Sequence, residues 1–213
     1  MTTTDLATGL LNGLALQPAD ERHLVGITGC PAAGKSTLAL SLAREVNHIA
    51  GAEIAAVVPM DGFHLPNDIL ESRGIRHLKG VPETFDPEAF GQLLRRLRRE
   101  TRSTVLCPEY SRVLHAAVSG AISIRPNHRV LVVEGNYLLL DTGRWSDIRP
   151  LLNEVWYVEV DDGRMRERLL ERHIAGGRTL EQAVAKMEET DIPNAEMVRA
   201  RAHSADRIIR LVA

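Results

Sequence analysis

Along the chain, short continuous apolar runs alternate with longer stretches in which apolar residues recur at helical spacing. The runs are "HLVGIT" (23–28), "IAAVVPM" (54–60), "TVLCPE" (104–109), "RVLVVEG" (129–135) and "VWYVEV" (155–160). Runs this short, rich in β-branched residues and without polar alternation, predict strands buried on both faces, as in a parallel sheet flanked by helices. The fold class that follows is α/β in three α/β/α layers, with a mainly parallel five-stranded sheet. In "FDPEAFGQLLRRLRRE", Asp86 is placed to cap a helix that has Pro87 at its first position. Thr179 and Gln182 form a capping-box pattern at the start of "TLEQAVAKMEE". Residues 162–200 read as almost wholly helical and highly charged, suiting a mobile cover over a site, with a lid at about 162–180. No repeat, low-complexity tract or linker divides the 213 residues, so one domain over 1–213 is expected.

Composition narrows the partners. With 44% hydrophobic and 25% charged residues and a net charge of −2, the chain lacks the basic footprint of a nucleic-acid binder. A small-molecule partner is the better default. Cys30 and Cys107 are too few for a disulfide framework and lie in no metal-ligand spacing, so they read as reduced thiols of a cytoplasmic protein. The N-terminal stretch lacks a basic segment and carries Asp5, which argues against a signal peptide, and no apolar run approaches a membrane span. Neither nucleic acid nor membrane is expected, and a homodimer is left open. Positive charge is carried almost entirely by Arg, with Lys only at positions 35, 79 and 186.

Chemistry enters with "GITGCPAAGKST". Gly29 to Ser36 spells the full G-x-x-x-x-G-K-[ST] phosphate-binding pattern between a predicted strand and a predicted helix. Gly29 and Gly34 let the backbone turn so that successive N–H groups, those of Ala32, Ala33 and Thr37 among them, face a phosphate beside a helix N-terminus. Lys35 supplies a point charge to the β- and γ-phosphates of a nucleotide, and Ser36 a hydroxyl to Mg²⁺. Cys30 occupies a variable position and is assigned no chemistry. A phosphate loop alone leaves open a switch GTPase, a motor ATPase and a kinase. No N-K-x-D string is present to read guanine.

Two carboxylates end apolar runs. Asp61 follows "VVPM", where it either caps a turn before Gly62 or acts as a base. Glu134 ends "RVLVV", where an acid either orients Mg²⁺ or forms a structural ion pair. Four segments, "GCPAAGKST", "MDGFH", "PEYSRVLH" and "VVEGNYLLL", together resemble the uridine kinase, phosphoribulokinase and bacterial pantothenate kinase family of P-loop kinases, over about residues 20–200. "RMRERLLERHIAGGR" is similar to that family's lid. "MDGFHLPN" and "DIPNAE" look closer to a branch of uncharacterised sugar-kinase-like proteins, of the fructose transport system kinase type, than to uridine kinases.

The resemblance implies an ATP- and Mg²⁺-dependent kinase whose acceptor is a small-molecule alcohol such as a sugar, a nucleoside or a pantothenate-like compound. By position, Asp61 matches the acid that activates the acceptor hydroxyl. Glu83 in "KGVPETFD" matches a hydroxyl-binding acid, and Tyr110, Arg112 and His115 are implied to line the acceptor pocket. His64 replaces an aromatic polar residue of uridine kinases, which tells against a pyrimidine. Arg164, Arg168 and Arg172 share one helical face, and Arg168 and Arg172 are the candidates to neutralise the transferring phosphoryl group. Arg178, after the glycine pair, is a further candidate for ATP. The plain alternative for this face is solvated Arg164–Glu167 and Arg168–Glu171 pairs. "RRLRR" at 95–99 reads as an exposed helix face. A rival function is a nucleotide-hydrolysing regulatory or assembly protein with no small-molecule acceptor.

Overall fold

The computed structural model describes residues 2–18, 20–111 and 113–210. Helices are α1 (Thr3–Leu14), α2 (Lys35–Ala50), α3 (Asn67–Ser72), α4 (Pro87–Arg99), α5 (Asp162–Ala175), α6 (Leu180–Lys186) and α7 (Ile192–Arg199). Strands are β1 (His23–Gly29), β2 (Ala55–Pro59), β3 (Val105–Ser111), β4 (Ala116–Ile124), β5 (Val130–Glu134), β6 (Glu154–Glu159) and β7 (Arg207–Arg210). The main sheet runs β2-β5-β1-β6-β7, every pairing parallel.

Strand residues alternate between two cores. Leu24, Leu131, Val133, Val155 and Tyr157 pack toward α4, whereas Val25, Ile27, Val130, Val132, Trp156 and Val158 pack toward α1 and α2. Both faces are therefore apolar, which is why the runs show no polar alternation. Helix α1 adds to the elements that the apolar pattern predicts. Its signals are the Thr2–Asp5 capping box and the buried stripe Leu6, Leu10 and Leu14. Asp86 accepts a hydrogen bond from the Ala89 amide at 2.9 Å, and the Thr179–Gln182 box is formed, so both expected caps are present.

One strand assignment is corrected. The run at 104–109 does not join the parallel sheet; it is β3 of a separate antiparallel hairpin with β4. Pro108 lies inside it, has no N–H to donate, and sits where the register shifts between Cys107 and Glu109. The fifth parallel strand is instead β7, "RIIR", a four-residue edge strand whose flanking arginines disguise it. Among the described residues, no helix is long and apolar enough to cross a membrane.

Candidate active site

The carboxyl ends of β1, β2 and β5 meet at one level, because Glu134 is in register with Ile27 on one side and Pro59 on the other. Open α/β sheets bind ligands at this edge. From β1 the chain turns into α2 through Gly34, the helix N-cap, at φ 95°, a left-handed conformation that glycine adopts without a Cβ clash. Ala32 (φ 60°) contributes a second left-handed turn, and Gly29 at the end of β1, Ala33 in the loop and Thr37 in the first turn of α2 complete the continuous stretch.

Lys35 is buried and donates to the Cys30 carbonyl at 2.9 Å, closing the loop on itself. Burial holds its ammonium below the ordinary lysine range, opposed by the nearby charges of Glu134 and Asp61 and reinforced by Arg172. Ser36 Oγ donates to Glu134 Oε2 at 3.2 Å. Hence the cation, both acids and the hydroxyl picked out in separate segments form one cluster. Cys30 is buried, with its sulfur 3.2 Å from the Tyr157 hydroxyl.

Beyond Pro59 the chain enters a 3₁₀ turn, Met60–Phe63, that carries Asp61. A Cβ on Gly62 would lie 2.4 Å from the Pro108 carbonyl oxygen, so only glycine lets this turn press against β3. Asp61 is half-buried, and among the described residues no side chain hydrogen-bonds to its carboxylate. Its backbone carbonyl lies 2.8 Å from His64 Nδ1. A carbonyl can only accept, so Nδ1 carries the proton and Nε2 of the neutral ring is an acceptor. Burial favours that neutral form by pushing the His64 pKa down, partly opposed by Asp61.

An aromatic wall follows. The His64 ring centroid is 3.9 Å from Phe85 and 4.6 Å from Tyr110. Burial, with Asp61 as a second cause, raises the Tyr110 hydroxyl above its usual range. Tyr137 is raised further by burial and then by Glu83, Asp61 and Asp191, so three carboxylates come within electrostatic reach of one phenol. Glu83 itself is exposed in a 3₁₀ turn, Pro82–Thr84. His115 has an exposed side chain and a left-handed backbone (φ 50°); its carbonyl accepts from Lys79 Nζ at 2.9 Å. That ammonium also donates to Asn67 Oδ1 at 2.7 Å and lies 5.1 Å from the Tyr110 ring centroid. Arg112 lies outside the described residues.

The helical cover meets the phosphate loop through Arg168, which donates to the Ala32 carbonyl at 3.3 Å. Arg172 is 3.7 Å from Asp191. Arg178 donates to His173 Nδ1 at 3.1 Å, which leaves His173 Nε2–H to donate to Asp191 at 2.6 Å. Among the described residues, the Arg164–Glu167 and Arg168–Glu171 pairs do not form; Arg166 instead reaches Glu188 across to the next helical segment. The Asp191–His173 pair, Tyr137, Lys79 and Lys186 were not selected as site residues from the sequence. A usable signal existed for the lysines, which stand out in an arginine-dominated chain. No local pattern marked Tyr137 or His173.

The model of the "Phosphoribulokinase / Uridine kinase family" matches residues 24–213. A Schizosaccharomyces pombe protein with a provisional uridine kinase name is 33% identical over 196 residues, covering 89% of this chain and 83% of its own length. The pantothenate kinase of Enterococcus faecalis is 31% identical over 149 residues, covering 64% of this chain and 48% of its own length. The crystal structure of a protein from Silicibacter sp. TM1040, provisionally named a fructose transport system kinase, superimposes with a TM-score of 0.89. It shares 37% identity and covers 98% of this chain and 99% of its own. The chain belongs to the phosphoribulokinase/uridine kinase family of P-loop kinases.

Proposed function

We propose that the protein transfers the γ-phosphoryl group of ATP to an alcohol of a small metabolite, with Asp61 as the general base. The observation that carries this reading is the half-buried Asp61 carboxylate. It lies at the sheet's carboxyl edge, close enough to Lys35 to influence its charge, and among the described residues no side chain hydrogen-bonds to it. An alcohol is a weak nucleophile, and a positioned carboxylate that accepts its proton accelerates attack by about 10²–10⁴-fold.

In this reading the acceptor oxygen bonds to the γ-phosphorus as its proton passes to Asp61. The bond from the γ-phosphorus to the β–γ bridging oxygen breaks, and ADP leaves. The loop amides from Gly29 to Thr37 and the Lys35 ammonium hold the phosphates. Arg168 and Arg172 approach from the lid to offset charge on the transferring group, and Arg178 supports the nucleotide side. Ser36 and Glu134 present two hard oxygen ligands 3.2 Å apart, a donor set that fits Mg²⁺, which commonly takes one or two protein ligands beside phosphates and water. When bound, Mg²⁺ neutralises phosphate charge.

For the acceptor, His64 offers an accepting Nε2, Tyr110 a protonated hydroxyl, and Glu83 a carboxylate near Tyr137. These groups suit the hydroxyls of a sugar, a nucleoside or a pantothenate-like compound. The names of the similar proteins refer to uridine, pantothenate and fructose, all of them alcohols. Release of ADP measured across a panel of sugars, nucleosides and pantothenate, followed by the mass of the product, tests the proposal. One acceptor is expected to raise ADP release and to gain a phosphoryl group. If every small alcohol leaves hydrolysis unchanged while a protein partner stimulates it, the kinase reading gives way to the regulatory one.

A further inference from the structure

Lys186 is the last residue of α6 and precedes a π-helical turn, Met187–Asp191. Its ammonium donates to the carbonyls of His77 (2.9 Å) and Lys79 (3.4 Å) and to the Thr190 hydroxyl (3.2 Å). Asn194, in the first turn of α7, donates to the Gly80 carbonyl at 3.4 Å, and the Tyr137 hydroxyl donates to that same oxygen. Inside the loop, the carbonyls of Arg76 and Leu78 are satisfied by the amides of Lys79 and Val81, each at 3.1 Å. The carbonyls at 77, 79 and 80 therefore find these partners outside the loop.

The same helical piece reaches the lid. Asp191, five residues after Lys186, is buried and accepts from His173, and it faces Arg172, both residues of α5. His173 in turn receives Arg178. Within residues 186–194, Lys186 and Asn194 thus reach the loop carrying Lys79 and Glu83, while Asp191 between them reaches Arg172 directly and Arg178 through His173. A π turn widens the helix locally, a departure from regular geometry that is frequent at functional sites.

We propose that Lys186 is a positioning residue that ties the acceptor loop, residues 76–84, to the lid, so that nucleotide held by the lid orders the acceptor side. Its chemistry suits the task. A tetrahedral ammonium directs three donors to separate oxygens, here two carbonyls and a hydroxyl, whereas the planar fork of arginine does not spread in this way. Burial lowers the Lys186 pKa, and Asp191 and Glu189 support its charge. The inference rests on the kinase reading, in that ATP must engage the phosphate loop and the lid.

Amide hydrogen exchange with and without Mg²⁺ and a non-hydrolysable ATP analogue tests it without knowledge of the acceptor. In the wild-type protein, exchange is expected to slow severalfold at 29–37, at 162–175 and also at 77–81. In Lys186→Met, the slowing at 29–37 and 162–175 persists and that at 77–81 is lost. The proposal is overturned if nucleotide protects 29–37 and 162–175 of the wild type but leaves 77–81 unchanged, an outcome that needs no variant. It is equally overturned if Lys186→Met speeds exchange at 77–81 by the same factor with and without nucleotide, as a merely structural lysine would. Absence of protection at 29–37 in the wild type overturns the kinase reading itself.

Discussion

In the proposed function the nucleotide end of the site is one unbroken stretch, Gly29 to Thr37, whereas the proposed acceptor end draws on separate pieces: the turn at 60–64, the loop at 76–85, the β3–β4 hairpin and Tyr137. At the first, the proposed phosphate-binding groups are mostly backbone amides, carried by two left-handed turns and a helix start. At the second, side chains such as His64, Phe85 and Tyr110 hold one another by ring packing. Phosphate is the same in every ATP, so a local backbone device suffices for it. An acceptor has its own shape, and reading it requires side chains that converge from several directions.

The largest effect is expected where the two ends meet. Asp61→Asn keeps the size of the side chain and removes the proposed base, so acceptor phosphorylation should fall about 10²–10⁴-fold with ATP affinity retained; steady-state kinetics beside nucleotide titration checks both. Unchanged turnover would remove Asp61 from the base role. On the nucleotide side alone, Lys35→Ala should cost about 10²–10³-fold in turnover, the usual range for losing one preorganised electrostatic contact. It should also weaken ATP binding. Normal ATP affinity in that variant would break the account of the phosphate loop.

The acceptor end should prove more sensitive to packing. Gly62→Ala places a methyl group where the Pro108 carbonyl already lies 2.4 Å away. Overpacking of this kind costs about 1–3 kcal/mol, readable as a lowered urea midpoint, and it should displace Asp61 while leaving nucleotide affinity near wild type. A variant as stable and as active as the wild type would show that the hairpin does not set the turn.

The smallest effect is on pH dependence. Burial holds the His64 and His128 pKa values below the ordinary 6.5. Below pH 6.5 the unfolded chain therefore binds more protons than the folded one, and stability should decline as pH falls from 6.5 through the lowered folded values. Replacing His64 with Gln should flatten, without abolishing, the acid-side fall in the urea midpoint. An unaltered profile would mean that His64 is not held neutral by its surroundings.

Several features of the fold and site were legible locally, each for a local reason. The phosphate loop has a short-range pattern because one backbone turn makes it. The runs at 23–28, 129–135 and 155–160 read as buried strands because both faces of the sheet are covered. The run at 104–109 looked like a fifth member, but the cost of Pro108 in a ladder becomes visible only once its partner strand is known. Conversely, "RIIR" is too short and too charged to announce itself, and pairing with β6 makes it a strand.

By itself the sequence determined the class of fold, the phosphate device and the family, because these rest on contiguous residues and periodicity. It also placed Asp61 and Glu134 at the ends of apolar runs. Only the tertiary structure brought Ser36 and Glu134 together across 98 positions and Lys186 onto the loop 107–109 positions before it. It alone revealed Tyr137 within electrostatic reach of three acids and the His173–Asp191 pair in contact with Arg172 and Arg178. The physical reason is range: turn geometry and helix capping act over a few residues and leave a local pattern. Hydrogen bonds and charge pairs between distant segments depend on how the chain folds back, and no short pattern records which carbonyl a lysine will reach.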